Sequence, residues 1–359
     1  MRIAIAGTRG IPARYGGFET FAEELGRRLA ARGHAVLIYC RQRHASSHYL
    51  GCRLVYLPTL RHKYLDTVAH TWLSTLDLVF RRADVALYCN AANAIFTWLP
   101  RLTGIPVALN VDGLERNRKK WNRLGQFWYE MSERWSTWFP SRVVSDAEQI
   151  KAYYRETYRT ESDFIPYGAD QEVLTAHDVV DGLGLRRGQY FLYVSRMEPE
   201  NNGLLVREAF EQVATDHQLA LVGDAPYAAE YIARVRNTKD PRIVIPGAVY
   251  GEGYKQLGSH CFAYIQATEV GGTHPALIEN MGRGALTLYL DTPENAEVAG
   301  GAAIPFTHDT LADRLREVLA MSEAERDSWR EKARRRVEER YSWEAVTDAY
   351  EALFRRLRA

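Results

Sequence analysis

The chain has 359 residues, of which 46% are hydrophobic and 25% are charged, and its formal net charge at pH 7 is +1. That length exceeds what one hydrophobic core usually supports, so we expect two domains. No run of about 18 apolar residues occurs, which excludes a membrane-spanning helix, and we expect the first residues to form a strand rather than a signal peptide. Four scattered cysteines without metal-ligand spacing indicate reduced core thiols and disfavour zinc.

Strands and helices alternate along the first half of the chain. Short apolar runs predict strands at 2–6, 35–39, 53–57, 85–89, 107–111 and 142–145. A helix is predicted over residues 20–32, because its apolar residues share one face and Gly33 ends it. This alternation is typical of a doubly wound parallel sheet in an α/β protein.

A second series of the same kind begins near residue 190. Strands are predicted at 191–194, 219–222, 243–245, 262–265 and 287–290, and helices at 203–214, 228–237, 251–259 and 274–283. An amphipathic helix closes the chain. The pattern therefore predicts two consecutive Rossmann-like halves.

Charge is distributed unevenly between these halves. Residues 1–165 contain 24 Lys and Arg against 15 Asp and Glu, whereas the remainder contains 22 and 30. Either the halves meet different partners, or the charges pair across a domain interface.

The most informative loop reads TEVGGTHPALIE and follows the predicted strand at 262–265. Its glycines allow close approach of a ligand, and the helix predicted to begin at His274 offers backbone N–H groups and a positive dipole end to phosphate. Glu279, predicted in the first helical turn, suits the hydroxyls of a sugar. The loop thus indicates a ligand that carries both phosphate and sugar.

A second glycine-bearing loop, GTRGIPARYGGFE, follows the first strand. It lacks the G-x-G-x-x-G spacing, which disfavours a nicotinamide or flavin site. The Gly16-Gly17 pair, placed just ahead of the predicted helix, offers a further approach to phosphate. The alternative is a glycine-rich turn without a ligand.

These loops resemble those of retaining glycosyltransferases of family 4, and GTRGIPARYGGFETFAEELG resembles the opening of a rhamnosyltransferase-like subgroup. The resemblance implies the GT-B fold, in which two Rossmann-like domains face each other across a cleft. Residues 1–167 would form the acceptor-side domain and residues 168–342 the nucleotide-sugar-binding domain. The last helix, 343–359, would pack back on the first domain.

The resemblance also implies the site residues. Arg196 would be catalytic and would stabilise the leaving diphosphate, unless it is an ordinary surface arginine. Asp112 is the second catalytic candidate, on its own placement after a predicted strand: it would orient the donor sugar or the acceptor hydroxyl, unless it only forms a turn. Tyr15 and Glu19 are assigned to the acceptor side. The donor-binding set comprises Gly16, Gly17, Asn201, Asn202, Gly271, Gly272, Thr273, His274 and Glu279.

Two positions depart from the family pattern. Family 4 enzymes usually carry Arg and Lys five residues apart, but Asn201 stands at the lysine position, where we expect it to donate a neutral hydrogen bond. Their donor loop commonly reads Glu-x7-Glu, and here Gly271 replaces the first glutamate, while Glu269 lies two residues too early. A less hydroxylated sugar, such as a deoxyhexose, would suit that gap.

We therefore predict a retaining, metal-independent hexosyltransferase that needs no cofactor and uses a nucleotide-diphosphate sugar as substrate. The resemblance implies a saccharide or lipid-linked saccharide acceptor in surface polysaccharide synthesis. Two alternatives stay open, a sugar-nucleotide 2-epimerase of the same fold and a non-catalytic sugar-nucleotide-binding subunit.

Basic and aromatic residues are mixed over residues 116–139. Such a mixture can lie on anionic lipid, and the alternative is a core helix with a solvated basic end. Nucleic acid is disfavoured, because no nucleic-acid-binding motif accompanies the charge. We expect a cytoplasmic protein and hypothesise a peripheral position on the inner face of the membrane.

Overall fold

The protein is described by a computed structural model that covers residues 1–13, 16–60, 65–117, 122–225 and 228–359. The chain divides into two compact units. The first comprises Met1–Tyr167 and Trp343–Ala359, and the second comprises Gly168–Ser342.

The first unit is built around an eight-stranded sheet ordered β3-β4-β2-β1-β5-β6-β7-β8. Every pairing is parallel except that of β3 with β4. The strands are β1 Arg2–Ala6, β2 Ala35–Cys40, β3 His48–Tyr49, β4 Cys52–Tyr56, β5 Val85–Cys89, β6 Val107–Asn110, β7 Arg142–Ser145 and β8 Asp163–Phe164. Its helices are α1 Gly17–Ala31, α2 Asp66–Arg81, α3 Trp98–Leu102, α4 Arg123–Trp138 and α5 Glu148–Tyr158, with 3₁₀ helices at Ala91–Phe96 and Glu115–Asn117.

The second unit contains a six-stranded parallel sheet ordered β11-β10-β9-β12-β13-β14. Its strands are β9 Tyr190–Val194, β10 Gln218–Val222, β11 Ile243–Gly247, β12 Ala263–Gln266, β13 Leu286–Leu290 and β14 Ile304–Phe306. Its helices are α6 Asp178–Gly182, α7 Gly203–Glu211, α8 Ala229–Arg236, α9 Gly251–His260, α10 Pro275–Gly282, α11 Pro293–Ala299, α12 Leu311–Ala320 and α13 Glu323–Arg340, with a 3₁₀ helix at Pro199–Asn201.

The central strands are buried along their length, as parallel strands covered on both faces should be. The prediction of two doubly wound parallel sheets is therefore confirmed. The predicted strand bounds agree with the observed ones within two residues. Two predicted helices differ from the observed ones by three residues. α1 begins at Gly17 instead of residue 20, because Glu19 and Thr20 already donate their backbone N–H groups to the carbonyl oxygen of Gly16. α7 ends at Glu211 instead of residue 214.

The last helix, α14 Trp343–Arg358, completes the first unit by packing on α1. The Phe21 ring lies 6.3 Å from that of Trp343 and 5.4 Å from that of Tyr350. Beside this apolar contact, Arg32 forms ion pairs with Asp348 at 2.6 Å and with Glu351 at 3.0 Å. Hydrogen bonds from neighbouring Arg355, Arg32 and His34 lower the pKa of Glu351 to about 2.

Candidate active site

The centre of the second sheet is the place where its strand order reverses. β9 and β12 are parallel neighbours there, although α7, β10, α8, β11 and α9 separate them along the chain. The loops that follow them, residues 195–202 and 267–274, therefore emerge at the same edge of the sheet. In open α/β sheets this edge is where ligands bind.

Arg196 lies at the start of the first of these loops, two residues after β9 ends. Its side chain is 31% exposed, and Nη1 lies 3.7 Å from Oε2 of Glu198. At that distance the two side chains form an ion pair rather than a short hydrogen bond. An anionic ligand at this edge would compete with Glu198 for the guanidinium.

Asn201 closes the same loop from inside. Its side chain is 2% exposed, and Nδ2 donates to the main-chain oxygen of Arg196 at 2.6 Å. Its own carbonyl oxygen accepts from the Tyr193 hydroxyl at 2.7 Å. The Asn201 amide thus holds the turn that presents Arg196, a role that the donor-binding assignment did not include.

Asn202 joins the two loops. Its backbone is left-handed, with a φ of 59°, and its Nδ2 donates to the Ala267 carbonyl and to Oε1 of Glu269, both at 2.9 Å. The amide assigned to a donor ligand is thus engaged with the neighbouring loop. Glu269 also donates its backbone N–H to the Glu200 carbonyl at 3.0 Å, and its Oε1 contacts Nε2 of His308 at 2.9 Å.

A buried amide fixes the end of the second loop. Asn295 is fully buried and donates Nδ2 to the carbonyls of Thr268 and Leu290, at 3.0 and 2.9 Å. Its Oδ1 therefore faces Nδ1 of His274, 2.6 Å away. Because an amide oxygen only accepts, the imidazole carries a proton on Nδ1.

The His274 ring also explains why residue 271 is glycine. A Cβ placed on Gly271 would lie 2.3 Å from Nε2 of His274, closer than real Cβ contacts come. A glutamate cannot stand there unless the ring moves. Gly272, Thr273 and His274 are themselves buried at this edge.

Glu279 lies on α10, but not where the sequence predicts it. The helix begins at Pro275 after the N-cap residue His274, in keeping with the preference of proline for the first helical position. Glu279 is thus the fifth residue of the helix and belongs to its second turn. It is partly exposed, and the Tyr254 hydroxyl from α9 hydrogen-bonds it.

The loop after β1 forms the corresponding edge of the first unit. Glu19, on the first turn of α1, is 6% exposed and accepts the backbone N–H of Arg9 at 2.8 Å. Burial raises the pKa of Glu19, and the Arg9 N–H opposes that rise. One turn later, Glu23 accepts the Ala13 N–H at 2.8 Å. These two carboxylates hold the loop against the helix, a role that the acceptor-side assignment of Glu19 did not include.

The glycine pair ahead of α1 differs from its predicted form. Gly16 is the N-cap residue in extended backbone, and Gly17 is already helical, so the pair does not form a separate turn. Tyr15, which was assigned to the acceptor side, lies outside the described residues.

Asp112 follows β6 with a left-handed φ of 58°. Its backbone N–H donates to Oδ1 of Asn110 at 3.1 Å. The side chain that forms the Asx turn is therefore that of Asn110, and Asp112 contributes only its backbone N–H to this turn. The pKa of the Cys89 thiol is raised well above its usual range by burial and then by the charges of Glu19 and Asp112. Both carboxylates therefore lie near the end of β5, where the strand order of this sheet reverses.

Four residues of these surroundings were not assigned from the sequence. Glu269 was considered and set aside on spacing. Asn295 follows β13, and a polar residue after a predicted parallel strand was the signal available for it. His308 follows β14, a strand that the sequence did not predict, so it carried no such signal. Tyr254 lies inside an amphipathic helix and carries no local signal. Within the described ranges, no group of three His, Cys, Asp or Glu residues could hold a metal ion.

Comparison with known proteins agrees with this architecture. Residues 16–168 match the family described as the glycosyl transferase 4-like domain. No curated protein sequence is similar enough to count as a match.

Solved structures resemble the chain over nearly its whole length. A sucrose-phosphate synthase from Thermosynechococcus elongatus has a TM-score of 0.80 at 19% identity, covering 99% of this chain and 98% of that one. Anabaena HepE, in complex with UDP and glucose, has a TM-score of 0.78 at 13% identity, covering 98% and 99%. WaaG, a glycosyltransferase involved in lipopolysaccharide biosynthesis, has a TM-score of 0.71 at 17% identity, covering 96% and 98%.

The two doubly wound sheets and these similarities define a protein of the GT-B fold, the fold of these glycosyltransferases.

Proposed function

We propose that the chain is a retaining glycosyltransferase that moves a sugar from a nucleotide-diphosphate donor to a saccharide or lipid-linked saccharide acceptor. One observation carries the proposal. At the switch point of the second sheet, Arg196 and the N-terminus of α10 emerge from adjacent parallel strands. A cation and a helix N-terminus at that edge suit a diphosphate.

Two similarities support a nucleotide sugar as the donor. The first unit matches a glycosyl transferase 4-like domain. Anabaena HepE, which shares the fold, has been solved with UDP and with UDP-glucose. We extend that chemistry to this chain, with the diphosphate at Arg196 and the sugar near residues 271–274.

Catalysis in this proposal is electrostatic. As the glycosidic bond to the donor breaks, negative charge grows on the leaving diphosphate, where Arg196 and the amides at the start of α10 stabilise it. The leaving phosphate oxygen takes the acceptor proton on the same face of the sugar, so the anomeric configuration is retained. Asp112 and Glu19 lie at the corresponding edge of the first unit, and we assign them to the acceptor.

Gly271 supports the choice of a less hydroxylated sugar. Its place under the His274 ring leaves no room for the carboxylate that family 4 enzymes commonly present to sugar hydroxyls. A deoxyhexose such as rhamnose has fewer hydroxyls, so it loses fewer hydrogen bonds when that carboxylate is missing. We therefore propose a rhamnosyltransferase-like specificity and a role in surface polysaccharide synthesis.

We further propose that the first unit binds the inner face of a membrane. Large apolar side chains are exposed on α2, α3 and α4, namely Trp72, Phe80, Leu102, Leu124, Phe127 and Trp138. Arg101 of α3 donates to the Trp138 carbonyl at the end of α4, so two of these helices meet. Aromatic and basic residues together suit an interface with anionic lipid. None of the described helices combines the length and apolar character that crossing a bilayer requires.

The deciding experiment is a panel of nucleotide sugars incubated with the purified protein and a lipid-linked or free saccharide. Transfer to the acceptor with retained anomeric configuration, read by NMR, supports the proposal. Conversion of the donor into its C2 epimer would identify an epimerase instead. Tight donor binding with neither transfer nor donor hydrolysis would identify a binding subunit.

Metal independence is tested with the same assay. We expect activity to survive an excess of chelator. Loss of activity on chelation, restored by added magnesium or manganese, would contradict this part of the proposal.

A further inference from the structure

We propose that Tyr254 is a positioning residue that holds the Glu279 carboxylate ready for the ribose hydroxyls of the donor. This inference rests on the proposed function, because Glu279 can bind ribose hydroxyls only if the ligand carries a nucleotide, as a nucleotide-diphosphate sugar does. It adds a residue from a different helix, α9, whose side chain acts through Glu279.

The Asn280 side chain of α10 meets α9 beside Tyr254. Gly258 follows Tyr254 by one helical turn, and a Cβ at Gly258 would lie 2.4 Å from Oδ1 of Asn280. Glycine at this position therefore leaves room for the Asn280 side chain next to Tyr254. Asn280 is fully buried in the contact and adjoins Glu279 in the chain.

The hydrogen bonds around the Tyr254 hydroxyl define its direction. Nδ2 of Asn280 donates to the Ala276 carbonyl at 2.7 Å and to the Tyr254 oxygen at 3.2 Å. The phenolic oxygen is therefore an acceptor for Asn280, and its own proton is available to the Glu279 carboxylate that it hydrogen-bonds. A hydrogen bond to a charged acceptor is stronger than a neutral one, and it restricts the rotation of the carboxylate.

Arg283, at the C-terminal end of α10, contacts the same tyrosine. Its guanidinium carbon lies 5.0 Å from the centre of the Tyr254 ring, a cation–π distance. Burial, followed by the Glu279 charge, raises the pKa of Tyr254 well above its usual range, and Arg283 opposes part of that rise. The hydroxyl accordingly keeps its proton and remains a donor to Glu279 throughout the neutral range.

A held carboxylate binds a diol better than a mobile one, because less rotational freedom is lost on binding. Glu279 lies in the second turn of α10, and the Tyr254 hydroxyl hydrogen-bonds its carboxylate from α9. Loss of that hydroxyl should weaken only the interaction with ribose hydroxyls.

The test compares nucleoside diphosphates with and without those hydroxyls. Calorimetry with UDP, GDP and ADP, each paired with its 2′,3′-dideoxy counterpart, gives a ratio of Kd values for each base. For the base that the wild type prefers, we expect the dideoxy form to bind about 10- to 100-fold more weakly. Glu279→Ala should bring that ratio close to one.

Tyr254→Phe should lower the same ratio to within about threefold of that of Glu279→Ala, and leave the Kd of the dideoxy form unchanged. The double variant should be no weaker than Glu279→Ala alone, since the two residues act on one interaction. Tyr190→Phe is the matched control. It removes a buried hydroxyl that donates to Leu257 of the same helix at 2.6 Å, and it should leave the ratio unchanged.

The inference is overturned if Tyr254→Phe keeps the wild-type ratio, or if it weakens both forms of the nucleotide equally. A wild-type ratio near one removes Glu279 from the ribose and overturns the inference while leaving nucleotide binding intact. Failure of the wild type to bind any nucleoside diphosphate overturns the proposed function, and the inference falls with it.

Discussion

The side-chain amide of Asn201 donates to the main-chain oxygen of Arg196 at 2.6 Å, and this bond ties the two ends of the loop that follows β9. Asn201, which stands where the family resemblance implies a lysine, is thus a structural part of the loop. The cation that remains, Arg196, depends on it for its position.

Introducing lysine at position 201, where the family resemblance implies one, should therefore not raise activity. Asn201→Lys places a charged chain in a site that is 2% exposed and leaves the Arg196 carbonyl without the amide. An unsatisfied buried group costs about 1–3 kcal/mol, so we expect a lower melting temperature and a lower kcat. Asn237→Lys, at an exposed position of the same unit, is the control. An Asn201→Lys variant of unchanged stability and higher kcat would show that the site admits a cation.

Arg196→Ala should reduce turnover more than it reduces affinity for the nucleoside. Charge on the diphosphate grows only as the glycosidic bond breaks, so the guanidinium contributes most in the transition state. Removal of one such donor typically lowers kcat about 100- to 1000-fold. The measurement is kcat together with the Kd of the nucleoside and of its diphosphate. Arg187 lies before β9 at the opposite edge of the sheet, and Arg187→Ala should leave kcat and both Kd values unchanged. If Arg196→Ala instead loses equal affinity for the nucleoside and its diphosphate, the arginine has a structural role.

Acid should destabilise the first unit through His70. This fully buried side chain on α2 has its pKa lowered to about 4, by burial first and by Arg41 second. In the unfolded chain the imidazole takes up a proton near pH 6.5, whereas the folded one does not, so the stabilisation is complete above that pH and is lost as pH falls toward 4. Between pH 7 and pH 5 the loss amounts to about 2 kcal/mol.

The check is the free energy of unfolding at both pH values for the wild type and for His70→Gln. The variant is expected to lose less stability on acidification, because its side chain does not titrate. His44→Gln, an exposed position of the same unit, serves as the control. Identical pH dependence in wild type and His70→Gln would refute the assignment.

The membrane hypothesis predicts salt-sensitive binding to anionic liposomes. Each basic side chain near an anionic surface contributes about 1 kcal/mol. Replacing Arg118, Lys119 and Lys120 by Gln should therefore reduce sedimentation with the liposomes. Phe127→Ser should reduce it further, since that ring is 59% exposed on α4, whereas Tyr250→Ser in the second unit should have no effect. If the wild type ignores anionic liposomes at low salt, the charge of the first unit serves another partner.

Strands were the most predictable feature of the fold, because a parallel strand buried on both faces is a short apolar run that local sequence reveals. β14 was missed for a physical reason. It has only three residues, lies at the edge of its sheet and contains Pro305. Because proline lacks the backbone N–H that a strand donates, it argues against a strand when only the sequence is known. β3 and β8, with two residues each, were missed for their length.

The candidate site was predictable in its loops but not in its partners. From the sequence alone, Gly271 is only the position where the glutamate common in family 4 enzymes is absent. The reason for the glycine is the His274 ring above it, and that ring is held by Asn295, 21 residues further along the chain. Contacts of this range depend on how the loops fold over the sheet edge, which no local pattern encodes. The same holds for Tyr254 and Glu279.

The placement of α14 has a consequence for synthesis on the ribosome. The residues of the second unit are contiguous, whereas the first unit needs Trp343–Ala359 to cover Phe21. Nascent domains generally fold as they emerge, beginning at the N-terminus. Here the order is reversed. The second unit is the first whose residues are all available, and the apolar surface of α1 stays uncovered until residues 343–359 have been synthesised.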